Sequence, residues 1–342
     1  MNQTHSIAVI GGGSFGTVLA NMIADNGYPV SLWLRDDKLA MSMQNNGCNV
    51  RYLPELKLHP TLSITTCIRS ALNGADTVMF AIPSQAFRQV LEHACKYILP
   101  QQYLVTTTKG IEADHFLLMS QIMEVFFPGQ CIGVLSGPNL AREVAAKQLT
   151  GTVIASDHTD LRQRIQKILQ SDYFRVYASN DRYGVELGGA LKNIYAIAAG
   201  LTGALKLGEN TRSMLMTRSL AEMSRLAIHM GANPLTFLGL AGVGDLMVTC
   251  MSPLSRNYRI GYALGQGQTL DQAVKDLNEV AEGVNTIALV KAKADALGIS
   301  MPLVDGLYAL LYQQTEITEI TQTLMAREQN TDVEFILHRN DA

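Results

Sequence analysis

The sequence predicts an α/β protein in two parts: a mostly parallel, doubly wound sheet followed by an all-α C-terminal domain. Three observations predict it. Short apolar runs rich in β-branched residues alternate with helix-like stretches up to about Ser179. No strand pattern recurs after that point. The 342 residues also exceed what one ordinary core holds. The expected division is therefore 1–179 for the sheet domain and 180–342 for the helical one.

The first strand is Ser6–Ile10, and Gly11, Gly12, Gly13, Ser14, Phe15 and Gly16 follow it directly. A helix-like stretch, Thr17–Asp25, and a second strand, Pro29–Leu34, come next. Strand, G-x-G-x-x-G, helix and strand in series is the context that gives the glycine fingerprint its meaning. Gly11 permits the tight turn, Gly13 lets the backbone approach a pyrophosphate, and Gly16 allows close helix–strand packing. The N–H groups of the helix start then face the phosphates. The first domain is thus predicted to be a Rossmann-type dinucleotide-binding domain.

Where an NAD-selective fold commonly carries an acidic residue on the ribose, this chain has Arg35, followed by Asp36 and Asp37. Arg35 can stack on adenine and pair with a 2′-phosphate, which favours NADP(H). Either aspartate can instead reach the ribose hydroxyls, so NAD(H) use stays open.

Further strands are expected at Leu62–Thr65, Thr77–Ile82, Tyr103–Thr107, Cys131–Leu135, Thr152–Ala155 and Tyr173–Tyr177. Ligands bind beyond the carboxyl ends of such strands. Three segments lie there: Ile82-Pro83-Ser84, Thr108-Lys109-Gly110 and Ser136-Gly137-Pro138-Asn139. Lys109 places a cation at that cleft.

In the second half, Asn180 and Asp181 can cap a long helix running to about Leu207. Further helices are expected at Arg212–Met230, Pro234–Leu238, Leu270–Asn278, Val284–Leu297 and Val304–Gln313. Within the first helix, Gly184 to Leu205 carries only two charged side chains, Glu186 and Lys192, at a spacing that does not pair on a helix. Burial without a local counter-ion lowers an amine's pKa, so Lys192 is a candidate proton carrier, against a lysine that snorkels to water. The segment Ala241–Gly261 reads as a Gly-, Ser- and Pro-punctuated loop. It holds Asp245, Thr249, Ser255, Arg256 and Asn257, and the last three suit the gripping of a phosphate.

Composition limits the partners. Hydrophobic residues make up 47%, charged residues 17%, and the formal net charge is −3, which gives no electrostatic case for nucleic acid or an anionic membrane. The five cysteines are scattered without a CxxC pair, as in a reduced cytosolic protein, and the seven histidines show no ligand spacing, so no metal site is expected. The start of the chain lacks the pattern of a signal peptide. No apolar run is long enough to span a bilayer. A cytoplasmic protein is expected.

Several segments occur together and in order: IAVIGGGSFGT, TTKGIE, LSGPNLAREV, GVELGGALKNIYAIAAG, GVGDLMVTC, SRNYRIG and VAEGV. In these the chain resembles the NAD(P)-dependent glycerol-3-phosphate dehydrogenases in their bacterial form. The resemblance runs from Ile7 to about Gly283. It implies reversible reduction of dihydroxyacetone phosphate to sn-glycerol 3-phosphate for glycerophospholipid synthesis, by a homodimer. It places Lys192 on the catalytic lysine with Asn193 beside it, and Lys109 on a second active-site lysine near substrate and nicotinamide. Asp245 and Thr249 match the support of the catalytic lysine. Arg256 and Asn257 match the phosphate grip, with Ser255 adjacent and Arg256 also near the cofactor. Gly137, Asn139 and Ala141 match the loop between substrate and cofactor. Ser14, Phe15, Arg35, Val280 and Glu282 match cofactor contacts. Asn139 departs from the family's usual Ser or Thr, and puts an amide where a hydroxyl approaches the substrate.

Overall fold

A computed structural model describes residues 5–277 and 281–326. The first half threads β1 (Ile7–Ile10), α1 (Ser14–Asp25), β2 (Val30–Trp33), α2 (Asp37–Asn46), a hairpin of β3 (Cys48–Asn49) and β4 (Leu53–Lys57), β5 (Ser63–Thr65) and α3 (Ile68–Leu72). It continues through β6 (Thr77–Phe80), α4 (Phe87–Ala94), β7 (Tyr103–Thr106), α5 (Met119–Phe126), β8 (Ile132–Ser136), α6 (Ala141–Ala145), β9 (Thr150–Ala155), α7 (Thr159–Leu169) and β10 (Phe174–Ser179). Eight strands form one sheet in the order β10-β9-β8-β7-β6-β1-β2-β5.

β1 shows why such strands read as unbroken apolar runs. Ile7 and Val9 face a core shared with α1, α2 and α7, while Ala8 and Ile10 face one shared with α3, α4 and α5. The strand order reverses between β1 and β6, which places the ligand crevice beyond their carboxyl ends. Neighbours are parallel except β8 and β9. The short connection through α6 turns the chain straight back instead of making a full crossover. Both sheet edges are blunted by a glutamine amide: Gln44 Nε2 donates to the Ile64 carbonyl on β5, and Gln166 Nε2 to the Val176 carbonyl on β10.

The second half contains α8 (Arg182–Ala204), α9 (Glu209–His229), α10 (Asp245–Met251), α11 (Arg256–Gly265), α12 (Leu270–Leu277), α13 (Glu282–Leu297), α14 (Pro302–Tyr312) and α15 (Ile317–Ala326). The expected end of α12 at Asn278 lies outside the described residues. Asp181 caps α8 by accepting from the Gly184 N–H at 2.8 Å. From Gly184 to Leu201 this helix is buried throughout, so it forms the axis of the helical half. α11 crosses it at close range: a Cβ on Gly261 would stand 1.8 Å from the Ile197 carbonyl oxygen. A side chain there would force the helices apart.

Two carboxylates of the helical half reach the sheet half. Buried Glu186 on α8 accepts from the Ser120 N–H at 2.9 Å and the Ser120 hydroxyl at 2.5 Å, at the start of α5. Burial raises its pKa to about 7 despite these bonds. Glu282, at the start of α13, accepts from the N–H and hydroxyl of Ser84 and from Gln85 Nε2.

One expectation needs correction. Most of Ala241–Gly261 is helical, comprising a π-helical turn at Leu240–Gly244, α10, and the start of α11. The Gly, Ser and Pro residues that suggested a loop sit at helix boundaries, around Gly244, Ser252, Pro253 and Ser255. No described helix is long and apolar enough to cross a membrane.

Candidate active site

The glycine turn has the geometry that its sequence requires. Gly11 has φ +127°, and a Cβ there would lie 2.3 Å from the Ala81 carbonyl oxygen. A Cβ on Gly16 would come 1.9 Å from the Gly11 carbonyl oxygen, whereas one on Gly13 would meet nothing within 4 Å. The turn is thus packed beneath and open above. Ser14 and Phe15 begin α1, whose N-cap, Gly13, offers no side-chain partner to the first N–H groups. An open glycine face and a free helix start fit a dinucleotide pyrophosphate. Buried Asn49 holds the turn, its Nδ2 donating to the Gly12 carbonyl at 3.0 Å and to Thr17 Oγ1 at 2.9 Å.

Arg35 is exposed just past β2. Asp36 N-caps α2 by accepting from the Leu39 N–H at 3.1 Å, and Arg51 lies 3.9 Å from its other oxygen. The cap occupies one of the two carboxylates considered for the ribose, and Asp37 is exposed in the first turn of α2.

The centre of the site is a carboxylate between two amines. Asp245, fully buried at the start of α10, accepts from Lys109 Nζ at 2.6 Å on one oxygen. Its other oxygen accepts from Lys192 Nζ. Lys192 Nζ also donates to Thr249 Oγ1 at 2.6 Å, one helical turn along α10 from Asp245, and the Thr249 hydroxyl bonds back to the Asp245 carbonyl. Lys109 Nζ donates further to the Gly137 carbonyl at 2.9 Å. The two lysines, Asp245, Thr249 and Gly137 thus come together from four separate segments.

Lys192 is 6% exposed, so it does not snorkel to water. Burial brings its pKa down from the ordinary lysine value to about 7; the Asp245 carboxylate opposes that fall and the charge of Lys109 adds to it. Arg256 stands exposed at the start of α11.

Next to Lys192, buried Asn193 packs against Gly283, where a Cβ would lie 2.4 Å from the Asn193 carbonyl oxygen. Asn257 meets the same glycine: its Oδ1 accepts the Gly283 N–H at 3.0 Å. A backbone N–H can only donate, so the oxygen of this amide faces Gly283 and its NH2 is the end that can serve a ligand. Ser255 is the N-cap of α11, its hydroxyl accepting from the Tyr258 N–H at 3.3 Å. It keeps one proton to donate. Asn139 Nδ2 donates to Thr152 Oγ1 at 2.8 Å, and Ala141 opens α6 directly after this loop. The carboxylate of Glu282 is engaged by Ser84 and Gln85 across the cleft. Val280 lies outside the described residues.

Asn49, Ser84, Ser120 and Thr152 escaped the sequence reading. Each is a small polar residue inside an apolar or turn segment, and its partner is far away in the chain. Ser84 lies within a strand-end segment already marked as lining the crevice, and that was the one available signal.

A sheet with this switch point, an open glycine turn and two lysines on one buried aspartate define a two-domain, nicotinamide-dinucleotide-dependent dehydrogenase. The family model described as the NAD-dependent glycerol-3-phosphate dehydrogenase N-terminus matches residues 6–162, and that for the C-terminus matches residues 181–322. The chain belongs to the NAD-dependent glycerol-3-phosphate dehydrogenases. It is 55% identical over 336 residues to the glycerol-3-phosphate dehydrogenase [NAD(P)+] of Ectopseudomonas mendocina, with 98% of each chain covered. It is 54% identical over 336 residues, at the same coverage, to that of Azotobacter vinelandii. The crystal structure of glycerol-3-phosphate dehydrogenase from Coxiella burnetii superposes with a TM-score of 0.91 at 36% identity, covering 95% of this chain and 99% of that one.

Proposed function

We infer that this chain interconverts dihydroxyacetone phosphate and sn-glycerol 3-phosphate with NADP(H) or NAD(H). The observation that carries this reading is the Lys109–Asp245–Lys192 cluster, built on a buried carboxylate, in a chain of this family. The bound nicotinamide supplies the hydride in reduction and takes it in oxidation. Lys192 donates a proton to the C2 oxygen of the triose as negative charge grows there. In the reverse direction its neutral amine takes the hydroxyl proton. A pKa of about 7 keeps both forms populated at neutral pH, as a proton carrier requires. Asp245 and Thr249 hold the amine in place, with Asn193 beside it, and Lys109 stands at the junction of substrate and nicotinamide.

Arg256 and Asn257 hold the substrate phosphate, with Ser255 beside them, and this remote grip positions the ketone. The orientation of the Asn257 amide supports that role, since its NH2 is a donor and a phosphate only accepts. Gly137, Asn139 and Ala141 separate substrate from cofactor. Gly11, Gly13, Ser14, Phe15 and Gly16 take the pyrophosphate, while Arg35 takes the adenosine end and favours NADP(H). Lys109, Arg256, Val280 and Glu282 complete the cofactor contacts. The work divides between a 1–179 cofactor unit and a 180–342 substrate unit. The protein acts as a cytoplasmic homodimer that supplies glycerophospholipid synthesis.

The direct test is to add dihydroxyacetone phosphate to the protein with NADPH, and separately with NADH. Cofactor absorbance should fall, faster with NADPH. No fall with either cofactor contradicts the assignment. Arg256→Ala should raise KM for dihydroxyacetone phosphate by about ten- to a hundredfold, the worth of a charge-assisted bond to phosphate, with a smaller change in kcat. An unchanged KM would remove Arg256 from the phosphate grip.

A further inference from the structure

The Oδ1 of Asn139 is buried and has no hydrogen-bond partner within the described protein. Its orientation follows from counting donors. Thr152, on β9, has a single hydroxyl proton, and gives it to the Ser136 carbonyl at 3.1 Å, an oxygen that can only accept. In its 2.8 Å contact with Asn139 the Thr152 hydroxyl must therefore receive. The amide NH2 is turned toward β9 and the amide oxygen away from it. The same loop is fixed at Gly137, where φ is +146° and a Cβ would lie 3.2 Å from the Thr152 Cα. The Gly137 carbonyl in turn accepts from Lys109 at 2.9 Å.

We propose that Thr152 is a positioning residue of the active site: it holds the Asn139 amide so that Oδ1 faces the ligand as an obligate hydrogen-bond acceptor. The group recognised is a donor, either a hydroxyl of the triose phosphate or the carboxamide N–H of the nicotinamide. This rests on the reading that the Gly137–Ala141 loop lines the cleft between substrate and cofactor. A Ser or Thr hydroxyl, usual in this family at the position of Asn139, donates or accepts as it rotates. An asparagine clamped by Thr152 can only accept.

Thr152→Val removes the hydroxyl at nearly constant volume and leaves the amide free to turn. It should lower kcat/KM for dihydroxyacetone phosphate reduction by about tenfold, the worth of one well-placed hydrogen bond. Thr152→Ser should restore it, and Thr152→Ala serves the same purpose if the valine variant does not fold. The rise in KM falls on dihydroxyacetone phosphate if the donor is the triose hydroxyl, and on the nicotinamide cofactor if it is the carboxamide. In an Asn139→Ala background the same Thr152 change should alter kcat/KM by less than about twofold, because its route to the ligand is gone. The proposal is overturned if Thr152→Val matches the wild type, if serine fails to rescue it, or if its loss persists undiminished without Asn139. Wild-type kinetics in Asn139→Ala alone would contradict the placement of the loop instead.

Discussion

Replacing Lys192 with alanine is expected to lower kcat for dihydroxyacetone phosphate reduction by about a hundred- to ten-thousandfold, the usual worth of a positioned general acid. Fold and cofactor binding should survive. Truncation of a buried charged residue often leaves its partner stranded at a large cost in stability, but here Asp245 remains paired with Lys109 at 2.6 Å. The glycine turn proposed to take the dinucleotide is built from β1, α1 and the β3–β4 hairpin, none of which contains Lys192. Steady-state kinetics together with cofactor titration would check both halves. Near-normal turnover would remove Lys192 from the chemistry; loss of cofactor binding would make its role structural.

Asp245→Asn should have the second largest effect, and of a different kind. The carboxylate is the counter-charge shared by both lysines, and it is wholly buried. Removing one partner of a buried ion pair costs about 3–5 kcal/mol, because the remaining charge keeps its desolvation penalty. The same carboxylate is the main influence holding the Lys192 pKa up against burial. Without it that pKa falls below about 7, less of the amine carries a proton at neutral pH, and triose reduction slows. The variant should melt at lower temperature, and its activity should recover in part as the pH is lowered. Lost activity with an unchanged melting temperature and no acid shift would mean that Asp245 does not balance the lysines.

The sheet half was largely legible in the chain because its signals are local. Ile7–Ile10 is apolar on both faces since both faces are covered, and Gly16 must be small because a Cβ there would strike the Gly11 carbonyl oxygen, five residues back in the same turn. Lys192 was visible as a charge in an apolar helix. Its partners were not. Asp245 and Thr249 lie on α10, which the sequence disguised as a loop because Gly, Ser and Pro mark helix boundaries as often as turns. From the residues alone Asp245 could equally be a turn residue or a cap; the resemblance selected it, and the fold brings it against both lysines. The antiparallel β9 was hidden for a related reason. Strand direction depends on how the connection closes, and an apolar run does not encode it. Thr152, Asn49 and Ser84 act through pairs of hydrogen bonds to residues in other segments and leave no periodic trace.

The central claim is that Lys192 carries the proton and that its burial brings it into the working pH range. The most direct measurement is kcat/KM against pH in both directions of the reaction. The pKa of about 7 predicts that triose reduction declines as pH rises through that value, because the amine loses the proton it must donate. Oxidation of sn-glycerol 3-phosphate should rise over the same interval, because the neutral amine is then the base. Mirror-image limbs near pH 7, both absent in Lys192→Ala, are the predicted result. Profiles with no inflection near neutrality, or the same limbs persisting in Lys192→Ala, would contradict it.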